Sequence, residues 1–155
     1  MAEVLDEQKN AIVLLEKHEM ALGHLYEVYA EKLPDHSDFW NDLSTQERSH
    51  GFMIRTFREL IESGELTYED RNFDLDMINT SMEEVNSDVD YALRNDIDVF
   101  EALSTAMDLE KGMIEDGLFD IKPNDPEDLK NILEALCDDT KRHFRALEEY
   151  RAGIS

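Results

Sequence analysis

The chain has 155 residues, with 38 Asp and Glu against 15 Lys and Arg, a net charge of −23 at pH 7. That balance excludes a nucleic-acid partner, because phosphate binding needs clustered Lys and Arg. A hydrophobic fraction of 41% suffices for a single domain, residues 1–155, with a core of its own, and most of the acids are expected to be solvated surface.

The first predicted helix runs from about Ala2 to Leu33. Its inner stripe reads Ile12, Leu15, Glu19, Leu22, Tyr26, Tyr29 and Leu33, steps of 3 and 4 that keep one face. The longest wholly apolar run, Ala11 to Leu15, is too short to cross a bilayer, and the N-terminus lacks the pattern of a secretory leader. A cytoplasmic protein with no membrane partner is the expectation. Pro34 stops the helix, and Asp35, Ser37 and Asp38 are candidate N-caps for the next one.

The second predicted helix, from about Asp38 to Ser63, carries Trp40, Leu43, Glu47, His50, Ile54, Phe57 and Ile61 on one face, with Gly64 as its stop. A long connection follows, from about Glu65 to Asp96. Ile78, Met82, Val85, Val89 and Leu93 mark a short amphipathic helix within it. The run Asp98 to Glu101 resembles a capping box. It opens a third bundle helix, to about Asp116, with the stripe Val99, Leu103, Ala106, Glu110, Met113 and Gly117. The last helix starts at Asp125 as N-cap and Pro126 as its first residue. It carries Leu129, Leu133, Leu136, Thr140, His143, Leu147 and Tyr150, and ends at Gly153. Cys137 is the single cysteine, so neither a disulfide nor a cysteine-based metal cage forms within one chain. The order is that of an all-α, antiparallel four-helix bundle: two hairpins joined by a long, partly helical crossover.

Five polar residues interrupt the apolar stripes: Glu19, Glu47, His50, Glu110 and His143. An unpaired buried carboxylate costs several kcal/mol, and no Lys or Arg occupies these stripes. A divalent cation would neutralise the acids, and carboxylate oxygen with imidazole nitrogen suits iron, manganese or zinc. Glu47 and His50, three apart, reach one ion from one helix face. The halves repeat: Glu19 precedes His50 by 31 residues and Glu110 precedes His143 by 33.

"EMALGHLY" (Glu19 to Tyr26) followed by "FWNDLSTQERSH" (Phe39 to His50) resembles the first half of rubrerythrin and related ferritin-like di-iron proteins. "LEKGMIED" and "LCDDTKRH" resemble the second half in degenerate form. The resemblance implies a ferritin-like fold holding two iron ions, with zinc or manganese as alternatives. It makes Glu19 a terminal ligand, Glu47 a bridge, His50 and His143 the imidazoles, and Glu110 the acid of the second half. Thr140 stands where the family has a glutamate, and Met113 where rubrerythrin has another. The rubredoxin-like domain is missing. Asp139 either substitutes for the lost ligand or the second half has lost tight binding. The resemblance further implies a homodimer and, for peroxide reduction, an external redox partner.

Three readings follow: an oxidoreductase such as a peroxide reductase or ferrous oxidase, a metal-binding or sensing protein without turnover, and a scaffold that has lost the site. No catalytic residue is assigned. Tyr26 and Tyr29 read as core rings rather than radical carriers, with a hydroxyl close to Glu110 as an alternative role. His18, His24 and His36, without stripe partners, are expected to be exposed, as is Glu16, whose alternative role is to support Glu19 one turn away.

Overall fold

The computed structural model describes residues 2–64, 74–123 and 125–154, with side chains from Ala11 onward. It contains α1 (Ala2–Lys32), a 3₁₀ turn (Pro34–His36), α2 (Ser37–Glu62), α3 (Leu75–Arg94), α4 (Val99–Glu115) and α5 (Glu127–Gly153). Among the described residues there is no β-strand, and no helix is long and apolar enough to cross a membrane.

Pro34 breaks α1 as expected, but none of Asp35, Ser37 and Asp38 caps α2 through its side chain. The 3₁₀ turn feeds directly into α2, with the Ser37 N–H donating to the Pro34 carbonyl, so the backbone satisfies itself. The turn sends α2 back along α1. Ser44 Oγ donates to the Gly23 carbonyl at 2.7 Å, and Arg55 and Arg58 reach Glu16 on the facing helix. These ion pairs hold Glu16 half-buried at the α1–α2 seam. A β-carbon at Gly23 would sit 3.3 Å from the Ser44 carbonyl oxygen, so this glycine lets the two backbones close up beside Glu19 and Glu47.

Two helix ends follow their sequence signals. Asp98 accepts from the Glu101 N–H at 2.9 Å and starts α4. Gly64 adopts φ +79° just past α2. Gly117, expected on the inner stripe, instead lies past α4 with φ +66° and ends it by a Schellman pattern in which Leu118 N–H donates to the Met113 carbonyl and Gly117 N–H to that of Ile114. The start of α5 differs from expectation. Pro126 holds the capping position and the helix begins at Glu127. Asp125 turns away, its Oδ2 accepting from the Lys122 N–H at 2.8 Å, which closes the preceding turn.

The largest departure is the crossover. Its first part, residues 65–73, lies outside the described residues. The remainder is no short helix but the 20 residues of α3, capped by Asp74, which accepts from the Met77 N–H. α3 packs along α1 and touches α4. Its buried residues are Ile78, Val85 and Ala92, while Leu93, expected on the inner stripe, is 57% exposed. Ala92 keeps the seven-residue step from Val85, and Leu93 lies one position off that face. α3 therefore covers a second face of α1, with Ala11, His18, Leu25 and Val28 buried beside the predicted stripe.

Candidate metal centre

The five stripe interruptions converge. Glu19 comes from α1, Glu47 and His50 from α2, Glu110 from α4 and His143 from α5, all at most 2% exposed. Ligand atoms of Glu19, Glu47 and His50 lie within 4.8 Å of one another, as do those of Glu47, Glu110 and His143. Glu47 is common to both groups. Its Oε2 faces His50 Nδ1 at 3.2 Å and its Oε1 faces His143 Nδ1 at 2.8 Å. Each imidazole has a second acid at the same nitrogen: Glu19 Oε2 is 3.5 Å from His50 Nδ1, and Glu110 Oε1 is 3.5 Å from His143 Nδ1. The two rings stack with centroids 5.5 Å apart and planes 17° from parallel.

The outer nitrogens are held as well. His50 Nε2 is 3.0 Å from Asp139 Oδ2, and His143 Nε2 is 2.6 Å from Gln46 Oε1. Both partners are acceptors, so both rings carry hydrogen on Nε2 and direct Nδ1 at the carboxylates. A metal-binding imidazole is commonly oriented in this way, with its remote N–H donated to an oxygen.

Asp139 thus lies on the far side of the His50 ring and pairs also with Arg142 at 2.6 Å. Thr140 is buried, and its hydroxyl donates to the Leu136 carbonyl at 2.7 Å, one turn back along α5. Neither belongs to the two ligand groups.

Electrostatics explains why the five residues need a partner. Burial, then the Glu19 and Glu110 charges, raise Glu47 well above the usual carboxylate range. Burial also works to raise Glu19, but its contacts with Glu47, His18 and His50 outweigh it and leave Glu19 well below that range. Burial opposes charge on His50, yet its contacts with Glu19 and Glu47 lift it from 6.5 to about 11. His143 rises to about 10, burial again being outweighed by Glu110 and Glu47. Protons therefore take the place of cations in the metal-free centre. Among the described residues no Lys or Arg pairs with the three acids, and Glu19 Oε1 and Glu110 Oε2 are buried without a hydrogen bond. Three carboxylates, two inward imidazole nitrogens and two orphaned carboxylate oxygens fit a pair of divalent cations.

No family model matches the chain, and comparison with curated proteins and with solved structures gives no significant match.

Three features escaped the sequence reading. His18 is fully buried rather than exposed, because α3 covers it. Its Nε2 meets Ser81 Oγ at 2.7 Å and its Nδ1 lies 3.5 Å from Glu19 Oε1. The signal was present as a second α1 stripe, Ala11, His18 and Leu25, at steps of seven. His36 is half-buried against Tyr150, whereas His24 is exposed as expected. Gln46 is adjacent in sequence to Glu47 but shows no periodicity. Tyr26 combines both roles considered for it: a fully buried ring whose hydroxyl donates to Glu110 Oε1 at 2.8 Å. A cleft of about 470 Å³ lies between α3 and α4 beside Glu83, Glu84, Asp88 and Asp108, and none of the five residues lines it.

The imidazole shifts predict a pH dependence. A histidine raised from 6.5 to 10 or 11 stabilises the fold fully below pH 6.5, and that contribution is lost as pH climbs toward the raised value. The raised Glu47 adds in the same direction. Between about pH 6.5 and 8.5 the metal-free Tm is expected to fall by something on the order of 10 °C. Protons leave the imidazoles when metal binds, so the Tm gain on adding Zn(II) is expected to grow over the same window. Differential scanning fluorimetry at several pH values checks both slopes.

Proposed function

We propose that this protein is a ferritin-like, rubrerythrin-related helical bundle that binds two metal ions, iron foremost, and uses them for oxidoreductase chemistry. One observation carries the proposal: two buried carboxylate–imidazole groups share Glu47, one of its oxygens facing each histidine. The helix order supports the fold, with α1–α2 and α4–α5 as the hairpins and α3 within the crossover.

Glu19, Glu47 and His50 would hold one ion and Glu110, Glu47 and His143 the other. Iron bound there supplies reversible one-electron oxidation, the chemistry needed to reduce a peroxide or to oxidise ferrous iron. The chain's own part is to orient and exclude. Asp139 and Gln46 fix the imidazoles. Tyr26 holds Glu110 and keeps a phenolic proton beside that carboxylate. Leu15 of α1 and Leu136 of α5, one turn before Glu19 and two turns before His143, are buried apolar neighbours of the centre in sequence. A homodimer and a separate electron donor complete the proposal.

The test is elemental analysis of protein expressed with added iron. About two equivalents per chain support the reading. Less than about half an equivalent, unchanged in Glu47→Ala, defeats it. A second reading, metal binding without turnover, is favoured by Thr140, whose hydroxyl is engaged by its own helix. Rapid oxidation of the reduced, loaded protein by peroxide in a stopped-flow instrument rejects that alternative.

A further inference from the structure

His18 is fully buried beside the centre but belongs to neither group of ligand atoms. Neighbours in sequence point about 100° apart around a helix, so His18 and Glu19 do not meet by default. His18 lies on the α1 face that α3 covers, and Ser81 of α3 holds its ring. Nε2 meets Ser81 Oγ at 2.7 Å, between residues 63 apart in the chain. The other ring nitrogen, Nδ1, faces Glu19 Oε1 at 3.5 Å. Both of these atoms are buried without a hydrogen bond. Two orphaned groups thus face each other across a gap just wider than a hydrogen bond.

The three imidazoles around the centre differ in what holds their outer nitrogen. Asp139 Oδ2 and Gln46 Oε1 only accept, which fixes hydrogen on Nε2 of His50 and His143 and turns each Nδ1 toward a cation. His18 is held by a hydroxyl, which can donate. Ser81 Oγ has no other hydrogen-bond partner among the described residues. If this hydroxyl accepted from Nε2, the Nδ1 lone pair would face a buried carboxylate oxygen. If it donates to Nε2, Nδ1 carries the hydrogen and directs it at Glu19 Oε1. Only the second arrangement gives both orphans a partner, after a closing movement of a few tenths of an ångström.

We propose that His18 is a positioning residue for Glu19: with its ring fixed by Ser81, its Nδ1–H holds Glu19 Oε1 and aims that carboxylate at the ion shared with Glu47 and His50. The proposal rests on the two-metal reading of the centre. Glu19 Oε2 is the oxygen that faces His50 Nδ1, at 3.5 Å. The other oxygen, Oε1, faces His18, so a hold on it stops the carboxylate from turning about its last bond. A carboxylate oxygen accepts more than one partner, so this hydrogen bond leaves Glu19 free to bind metal. On the other side of the centre the Tyr26 hydroxyl holds Glu110. The crossover helix supplies none of the five ligands, yet through Ser81 and His18 it supports the ion on the α1 side alone.

Nitrogen-15 NMR of the metal-free protein reads the His18 tautomer. Hydrogen on Nδ1 is expected, and an Nδ1 without hydrogen overturns the proposal. Two substitutions then separate the ring's two contacts, because asparagine places its amide nitrogen near the Nδ1 position and glutamine places its amide near the Nε2 position. His18→Gln should weaken one of the two Co(II) sites about tenfold and leave the other within about twofold. His18→Asn should recover most of that loss. Unchanged affinity in His18→Gln, equal weakening in both variants, or equal weakening of both sites would leave His18 a packing residue and overturns the positioning role. The proton spectrum of Co(II)-loaded protein should show shifted imidazole N–H resonances from His50 and His143 only. A third such resonance, lost in His18→Gln, would make His18 a ligand and also overturns it. A chain that binds no Co(II) defeats the proposed function instead, and the metal-free tautomer still decides whether His18 donates to Glu19.

Discussion

Glu47→Ala is expected to abolish tight metal binding at both halves of the centre, a loss of at least about a hundredfold in affinity for Zn(II) or Co(II) at each. Glu19→Ala and Glu110→Ala are each expected to remove one ion and leave the other. The difference lies in geometry. Glu19 and Glu110 each belong to one group of ligand atoms, and Glu47 belongs to both. Its two oxygens face different imidazoles, so no single neighbour replaces it. Isothermal titration with Co(II), whose visible spectrum reports coordination, distinguishes the three variants. Two ions retained by Glu47→Ala would mean that the carboxylate is a hydrogen-bonding core residue and not a bridge. Loss of helicity would confuse the result, so Glu47→Gln, of nearly equal volume, serves as the control that keeps the cavity filled.

Much of this arrangement was readable from periodicity, because a helix that buries one stripe announces any polar residue placed on it. Glu19, Glu47, His50, Glu110 and His143 each stand three or four positions from apolar neighbours that the structure also buries. Four long helices and the stops at Pro34 and Gly64 were legible for the same reason. What periodicity could not give was the second face of α1. A stripe at steps of seven is sparse, and it becomes a buried surface only when another helix lies on it. α3 does so, and this turns His18 from an expected surface residue into one that joins Ser81 to the edge of the centre. The role of Asp139 was hidden differently. On a helical wheel it sits just off the inner face, close enough to be considered a ligand. Whether it meets the near or far nitrogen of His50 depends on how α5 is placed against α2, which no local pattern encodes. The Phe39–Tyr150 stack is equally non-local, since the two rings are brought together only by the packing of α2 and α5.

Thr140→Glu is expected to move stability in opposite directions with and without metal. Thr140 is 3% exposed and stands three residues before His143, the spacing that Glu47 has to His50. A glutamate there adds a fourth carboxylate to a buried cluster in which Glu47 is already forced toward its protonated form. Without a cation the added acid either ionises at a cost of several kcal/mol or takes up a proton and loses the hydrogen bond that Thr140 gives Leu136. The metal-free Tm should fall by about 5–10 °C. With divalent metal the same carboxylate becomes a ligand, so affinity should rise and the Tm gain on loading should exceed that of the unmodified protein. The pH dependence should sharpen too, because one more proton competes with the cation. A volume effect alone would lower both forms equally, and Thr140→Gln, with the same bulk and no charge, should do that. If Thr140→Glu behaves like Thr140→Gln, position 140 does not face the ions, and the α5 half of the centre is held by His143 alone.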